Sequence, residues 1–396
     1  MIPYRQLRKR IEQDKARKHA RRSKRAEEHD RLEKVITPRH YIRSIQVCRR
    51  GVRFKLSVQK YSAKPFAILE KDYTDMRNGI APGIFSSRKV VIRERGKERI
   101  ITPIQMRDRV NHRVLCDYAL TPMIYPRLIY DNGASMKGKG VGFARKRFNV
   151  MLEKAKRLWG SRFYALTFDF KRFFDNIPHR LCLKELNKTF RDRRITDLTM
   201  GFIEGYLLLD AKRAHDADAI RQIRRHTGRG VCLGSHVSQI MALCVPNYLD
   251  HFLKDRKRVK FYIRYMDDGI ILHSDRAFLR RLLRDMRRLC SGRGMPLNPE
   301  KTHIIPIRKG ICFLKIRYRL DGMKTVKRLC RGSIIRMRRK LNRFRGLLAR
   351  GKMTPDMVTC SYMSWVGHTK NAMAHHQRKY MNLLYHDVLY PKGAVT

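Results

Sequence analysis

Two adjacent carboxylates, Asp267 and Asp268, are the residues best placed by type and spacing to do chemistry. They lie within FYIRYMDDGIILHS (261–274), where two apolar runs flank an acidic turn, the pattern of a β-hairpin. Successive strand residues point to opposite faces, so only one of the two is expected to serve fully in a shared cluster. A second apolar strand, SRFYALTFDF (161–170), supplies a further carboxylate, Asp169. Carboxylates at the ends of neighbouring strands can hold two magnesium ions, with manganese as a substitute, about 3.5–4 Å apart. Such a pair clamps the attacking and leaving oxygens of an in-line phosphoryl displacement. Taken alone, an Asp-Asp pair at a hairpin tip is also what a turn selects for local hydrogen bonding, so the chemistry depends on its company.

The chain that must position these groups has 396 residues, enough for one large multi-part enzyme or two to three ordinary domains, and 43% of them are hydrophobic, which excludes global disorder. Against 34 Asp and Glu stand 91 Lys and Arg, a formal charge of +57. Such an excess repels itself unless a polyanion lies against it; nucleic acid is the first candidate and an anionic membrane surface the alternative. No apolar run approaches the roughly 20 residues of a bilayer span, and Ile240–Val245 is among the longest. The N-terminal region has no apolar secretion segment, and acidic residues interrupt its basic run, so a cytoplasmic protein without membrane attachment is expected. Nine scattered cysteines without a CxxC pair argue against a zinc site and against a disulfide framework.

Tyr4 to Thr37 contains neither Gly nor Pro and repeats Lys or Arg every two or three positions. It reads as a charged helix or arm with too few apolar positions to bury a face by itself, ended by Pro38. Residues 50–110 read as β-rich; in their clearest part Val90–Ile92 lead to a turn at Gly96 and return through Ile100 and Ile101 to Pro103. Residues 108–128 read as helical. Gly133–Lys139 mimics a phosphate loop, but Gly140 stands where a Ser or Thr must ligate magnesium and no apolar strand leads in, which excludes a nucleotide-triphosphatase loop. A helix is expected after Pro178, another capped by Ser235 and kinked at Pro246, and a basic one over 276–290. A strand is expected over 311–318, and Lys- and Arg-rich helices from about residue 325.

The blocks FDFKRFFDNIPH (168–179), VCLGSHVSQ (231–239), YMDD (265–268), GMPLNPEKT (294–302) and CFLKIRY (312–318) follow one another in a fixed order. In sequence and order they resemble the palm motifs of reverse transcriptases, and KERIITP (97–103) resembles their fingers motif. The resemblance covers roughly residues 85–320 and implies an α+β right-hand polymerase fold. Its implied parts are a basic N-terminal helical arm (1–50), fingers (51–160), a palm with the catalytic motifs (161–324) and a basic helical thumb (325–396). The implied activity is RNA-directed DNA synthesis by two-metal-ion nucleotidyl transfer, with template RNA, its DNA copy and deoxynucleoside triphosphates as partners.

Carried over by position, Asp169, Asp267 and Asp268 match the metal-binding catalytic aspartates. Phe174 matches the steric gate against a ribose 2′-hydroxyl, with Phe170 beside it at the nucleotide. Lys97 and Arg99 match the residues that close on the triphosphate, a role suited to cationic forks. Lys301 matches the lysine that can protonate the pyrophosphate leaving group. Phe313-Leu314-Lys315 stands where relatives usually carry Phe-Leu-Gly in the primer grip. Leu233, Gly234, Ser235, Ser238 and Gln239 fit the GxxxSQ pattern of diversity-generating retroelement enzymes, with Gln239 against the template and the incoming nucleotide. That group copies a template RNA with frequent errors at adenine and works with a small basic accessory protein. A phage-defence or group II intron-like enzyme with its own structured RNA is the alternative. A non-catalytic RNA-binding protein on a polymerase fold is the alternative of another class, but such a protein has no need to keep three carboxylates and the gate aromatic.

Overall fold

The computed structural model describes residues 4–63, 65–82, 90–94, 97–101, 103–213, 228–322, 324–370 and 372–390. They divide into two compact units. The first comprises Met1–Met136, Asp169–Val259 and Asp285–Asn298, and the second Lys137–Phe168, Lys260–Arg284 and Pro299–Thr396.

The first unit opens with the basic helix α1 (Tyr4–His29) and a short turn of helix, α2 (Leu32–Val35). Where side chains of α1 are described they are mostly exposed, yet the chain after it is held: Leu32, Val35 and Ile36 are fully buried. The Asp30 carboxylate accepts from the amides of Arg191 and Asp192, and the Asp192 carboxylate accepts from the Leu32 amide at 2.9 Å. Pro38 does not end a helix but begins α3 (Pro38–Arg49), because Thr37 caps it by accepting from the His40 amide and a first-turn proline loses no bond.

Among the described residues, 50–110 are not β-rich. Helices α4 (Leu56–Ala63) and α5 (Pro65–Arg77) occupy their first half. Buried Val58 and Tyr61 lie three apart and buried Asp72 and Met76 four apart, which is helical and not strand spacing. The hairpin β1 (Val90–Glu94) and β2 (Lys97–Ile101) is present in antiparallel register, and its tip at Gly96 lies outside the described residues. Helix α6 (Met106–Leu115) continues through a π-helical turn, Cys116–Leu120, into α7 (Thr121–Ile124). The unit also contains α9 (Phe173–Asn176), α10 (His179–Thr189), α11 (Arg193–Arg213), α12 (His236–Cys244) and α13 (Asn247–His251). Ser235 caps α12, and the chain breaks at Pro246 as expected.

The second unit is built on a four-stranded antiparallel sheet with strand order β4-β5-β3-β6. Its strands are β3 (Tyr164–Phe168), β4 (Phe261–Tyr265), β5 (Asp268–His273) and β6 (His303–Pro306). Helix α8 (Val141–Trp159) lays Phe148, Met151, Leu152 and Ala155 into one core with Ile263, Ile270 and Leu272 of the sheet. Residues 311–318 form two strands, not one: β7 (Ile311–Phe313) turns at Leu314-Lys315 into β8 (Ile316–Asp321), and β9 (Lys324–Leu329) completes a three-stranded sheet. The helical region therefore starts later than residue 325. Helices α15 (Arg331–Ala349), α16 (Pro355–Thr369) and α17 (His375–Leu389) share a core around Leu341, Phe344, Tyr362 and Met381. Between the sheets in sequence, α14 (Arg276–Gly292) buries Leu279, Leu282, Met286 and Cys290 and exposes its arginines. Cys312 and Cys330, 18 residues apart, meet Sγ to Sγ at 3.4 Å.

Candidate active site

Phe168, the last residue of β3, pairs with Gly269 of β5. A Cβ on Gly269 would stand 2.2 Å from the Phe168 ring, so only glycine lets that ring lie across the neighbouring strand. Continuing the antiparallel register by one step sets Asp169 beside Asp268. One carboxylate oxygen from each of Asp169, Asp267 and Asp268 lies within 4.8 Å of the others. Asp169 is buried, Asp267 half-buried and Asp268 exposed.

Both adjacent aspartates bring a carboxylate oxygen to this cluster. The turn that carries them runs through Met266, whose φ of 56° is left-handed. That conformation is costly for a side chain with a Cβ, so its surroundings must impose it. Arg264 does so: fully buried, it donates from Nη1 to the Met266 carbonyl at 2.9 Å. The donor set is oxygen alone, without His or Cys, which fits a hard divalent cation such as magnesium or manganese and does not fit a zinc site.

The segment after Asp169 is fixed by the block GMPLNPEKT. The Asn298 amide donates to the Asp169 carbonyl at 2.7 Å, Phe170 bridges to Leu297, and the Lys171 amide donates to Pro296 at 2.9 Å. Phe170 is buried. Lys301 ends a 3-10 turn, Pro299–Lys301, with its side chain exposed. Arg172 is left-handed, φ 43°, and starts α9. Within α9, Phe174 is half-buried and meets the Phe173 ring edge-on at 5.3 Å.

The Val231 amide donates to the Phe174 carbonyl at 2.9 Å, and the Gly230 amide to Ile177 at 2.9 Å. Gly230, φ 92°, must be glycine: a Cβ would meet the Asp175 carbonyl at 3.3 Å. This stitching holds the turn of Phe174 against the start of VCLGSHVSQ. In that block, Gly234 and Gln239 are exposed and Leu233 half-buried, while Ser235 and Ser238 are buried. The Ser235 hydroxyl accepts from the Ser238 amide and lies 3.2 Å from His112 Nδ1. Complete burial pushes the His112 imidazole down to about 3, so it is neutral, and its ring packs edge-on to Phe202 at 4.4 Å. Lys97 and Arg99 lie on β2 opposite Glu94 and Ile92; their side chains lie outside the described residues.

At the other turn of interest, Leu314 and Lys315 are both left-handed, with φ of 46° and 71°. Lys315 adopts the conformation that a glycine at that position of the family pattern takes freely. Arg145, buried in α8, donates from Nε at 3.2 Å and from Nη2 at 2.5 Å to the Leu314 carbonyl. Sequence reasoning missed Arg264, Arg145 and His112. A lone arginine inside the apolar run Phe261–Tyr265 was a readable signal for the first; nothing local marks the second.

The profile of the family described as "Reverse transcriptase (RNA-dependent DNA polymerase)" matches residues 88–329. No curated protein matches the chain significantly. Among solved structures it is similar to apo telomerase from Candida tropicalis, at 13% identity and a TM-score of 0.42, over 80% of this chain and 66% of that one. A form of that telomerase truncated from its C-terminal domain gives 13% and 0.42, over 63% of this chain and 56% of that one. Telomerase from Candida albicans in complex with a fragment of telomeric RNA gives 13% and 0.42, over 76% and 59%. The chain thus spans under two thirds of the length of the last two.

Proposed function

This chain belongs to the reverse transcriptase family of RNA-directed DNA polymerases, enzymes of right-hand polymerase fold, and from that premise we propose that it extends a primer on an RNA template at the Asp169–Asp267–Asp268 cluster. The observation that carries this reading is the meeting of Asp169 with the adjacent pair Asp267 and Asp268, about 100 residues on in sequence, beside paired strands. Asp169, Asp267 and Asp268 would hold two magnesium ions, or manganese in their place, which would supply charge neutralisation for a primer 3′-oxygen and a triphosphate. Everything else falls to side chains of the chain itself. Asp169 follows the end of β3, Asp267 lies in the β4–β5 turn and Asp268 opens β5, and together they hold the cluster. Phe174 excludes a ribose 2′-hydroxyl, with Phe170 fixing the backbone behind it. Lys97 and Arg99 draw the triphosphate in, and Lys301 delivers a proton to the leaving pyrophosphate. The arm, fingers, palm and thumb fall at 1–50, 51–160, 161–324 and 325–396. Among the described residues no helix is long and apolar enough to cross a membrane, and the reading needs none.

Asp267→Asn tests the site. It should lower primer extension by about 10³-fold or more, as loss of electrostatic stabilisation at a reacting phosphate implies, and leave RNA binding, which the distributed basic surface provides, in place. Extension by that variant at the parent rate would sink the assignment.

The GxxxSQ block supports the finer reading that this is the error-prone enzyme of a diversity-generating retroelement, working in the cytoplasm with a small basic accessory protein. Exposed Gly234 and Gln239 leave that block free to meet a template base. Single-nucleotide incorporation on four templates differing at one base should show errors concentrated opposite adenine. Discrimination by shape alone is worth only about 1–3 kcal/mol per feature, so loosening one contact is enough. Uniformly low error on all four templates would favour a defence or intron-like enzyme instead.

A further inference from the structure

A cleft of about 560 Å³ in the second unit is lined by cations and lies outside the carboxylate cluster. One wall is a single face of α8, where Arg145, Lys146 and Asn149 recur at helical spacing. The opposite walls are Tyr318 of β8, Lys327 of β9 and Lys370 at the end of α16. The Met373 amide donates to the Lys327 carbonyl at 2.7 Å, which ties the chain after α16 to the sheet and fixes the width of the cleft.

Four of the ten residues lining the cleft are basic, and no Asp or Glu lines it among the described residues. Glu153, one turn farther along α8, is engaged by the Thr325 hydroxyl. The Arg145 guanidinium is buried against the Leu314 carbonyl and the His368 ring, and among the described residues no carboxylate is seen to pair with it. Buried charge without a counter-charge is costly, and a bound anion removes that cost. The buried Asn149 Oδ1 has no hydrogen-bond partner, an acceptor waiting for a hydroxyl or amide donor beside the anion.

We propose that this cleft is a phosphate-binding site, taking one or two phosphate groups with a hydroxyl donor alongside, as a nucleic-acid strand or a free nucleotide presents them. The pairing of cations with one acceptor suits a phosphorylated sugar better than a bare inorganic anion. Because Arg145 reaches from this cleft to the Leu314 carbonyl, an occupant would also firm the turn that carries Lys315.

Amine footprinting of the full chain tests the site without nucleotides or catalysis, so it stands apart from the polymerase reading. Acetylation rates of individual lysines are read by mass spectrometry at constant ionic strength, with tripolyphosphate or a primer–template duplex added. Lys146, Lys327 and Lys370 should slow together and saturably, by about tenfold at full occupancy, while exposed Lys309 and Lys352 outside the cleft change little. Lys327→Gln with Lys370→Gln should abolish the protection of Lys146, and exposed Lys370→Gln alone should weaken it in a chain whose melting is unchanged. Protection by tripolyphosphate and duplex alike assigns a site for free phosphate; protection by duplex alone assigns a phosphodiester of the bound strand. Equal protection of all exposed lysines, or none in the cleft, overturns the proposal.

Discussion

Two hairpin turns of the second unit solve the same mechanical problem by different means. The β4–β5 turn places Met266 in the left-handed region to present Asp267 and Asp268, and the β7–β8 turn places Leu314 and Lys315 there to present a cation. In each, a buried arginine donates to the carbonyl of a left-handed residue: Arg264 to Met266, and Arg145 to Leu314. Arg264 belongs to the strand that enters its own turn, two residues away, whereas Arg145 comes from α8, 169 residues earlier. The acidic turn is therefore braced from within its own hairpin. The basic turn is conditional on the seating of α8, and so on whatever occupies the cleft that Arg145 lines.

The largest effect should follow from breaking the acidic turn. Arg264→Met keeps most of the volume and removes the donor, leaving the Met266 carbonyl buried and unanswered. A loss of about 1–3 kcal/mol in stability is expected in chemical denaturation. Single-turnover extension should fall by about 10²-fold, because carboxylates displaced by about 1 Å no longer hold the reacting groups in line. A full-rate enzyme would show that the turn keeps its shape without the arginine.

Arg145→Met should act more gently and differently. With the carboxylates untouched, the single-turnover rate at saturating primer–template should stay within about twofold, while the concentration of primer–template needed rises about tenfold, or ~1.4 kcal/mol. If Arg145→Met instead lowers the saturated rate as far as Arg264→Met does, the two turns are one mechanical unit and the contrast drawn between them fails.

The same contrast decides what could be read from the sequence. Apolar runs around Asp267-Asp268, the cap at Ser235 and the break at Pro246 are local signals, and the structure has elements where those signals place them. The service of Gly269 to the Phe168 ring depends on strand pairing that no local pattern states. The β-rich reading of residues 50–110 generalised from one clear hairpin to helices whose buried positions are three and four apart. CFLKIRY was read as one strand because Leu-Lys lacks the Gly or Asn that normally marks a turn. What forces Leu314 and Lys315 over is Arg145, and no window of sequence around the turn contains it.

The smallest effect, and the sharpest comparison, comes from placing glycine in each turn. A side chain in the left-handed region costs about 1 kcal/mol, and glycine removes that cost while adding some freedom to the unfolded chain. Lys315→Gly, at φ 71°, restores the residue usual at that position and should stabilise the protein by a few tenths of a kcal/mol to about 1. Its extension rate should not move, because no reacting group hangs from that turn; the salt dependence of primer–template binding should flatten slightly with the lost cation. Met266→Gly, at φ 56°, should stabilise by a similar amount. There, however, the strain helps to hold Asp267 and Asp268 toward Asp169, and a glycine beside them lets the pair sample other directions. The rate should drop by about three- to tenfold while the melting temperature rises, a separation of stability from activity characteristic of strain kept at a working site. Equal behaviour of the two glycine variants in both readouts would mean that the Met266 conformation serves the hairpin alone and contributes nothing to the alignment of the carboxylates.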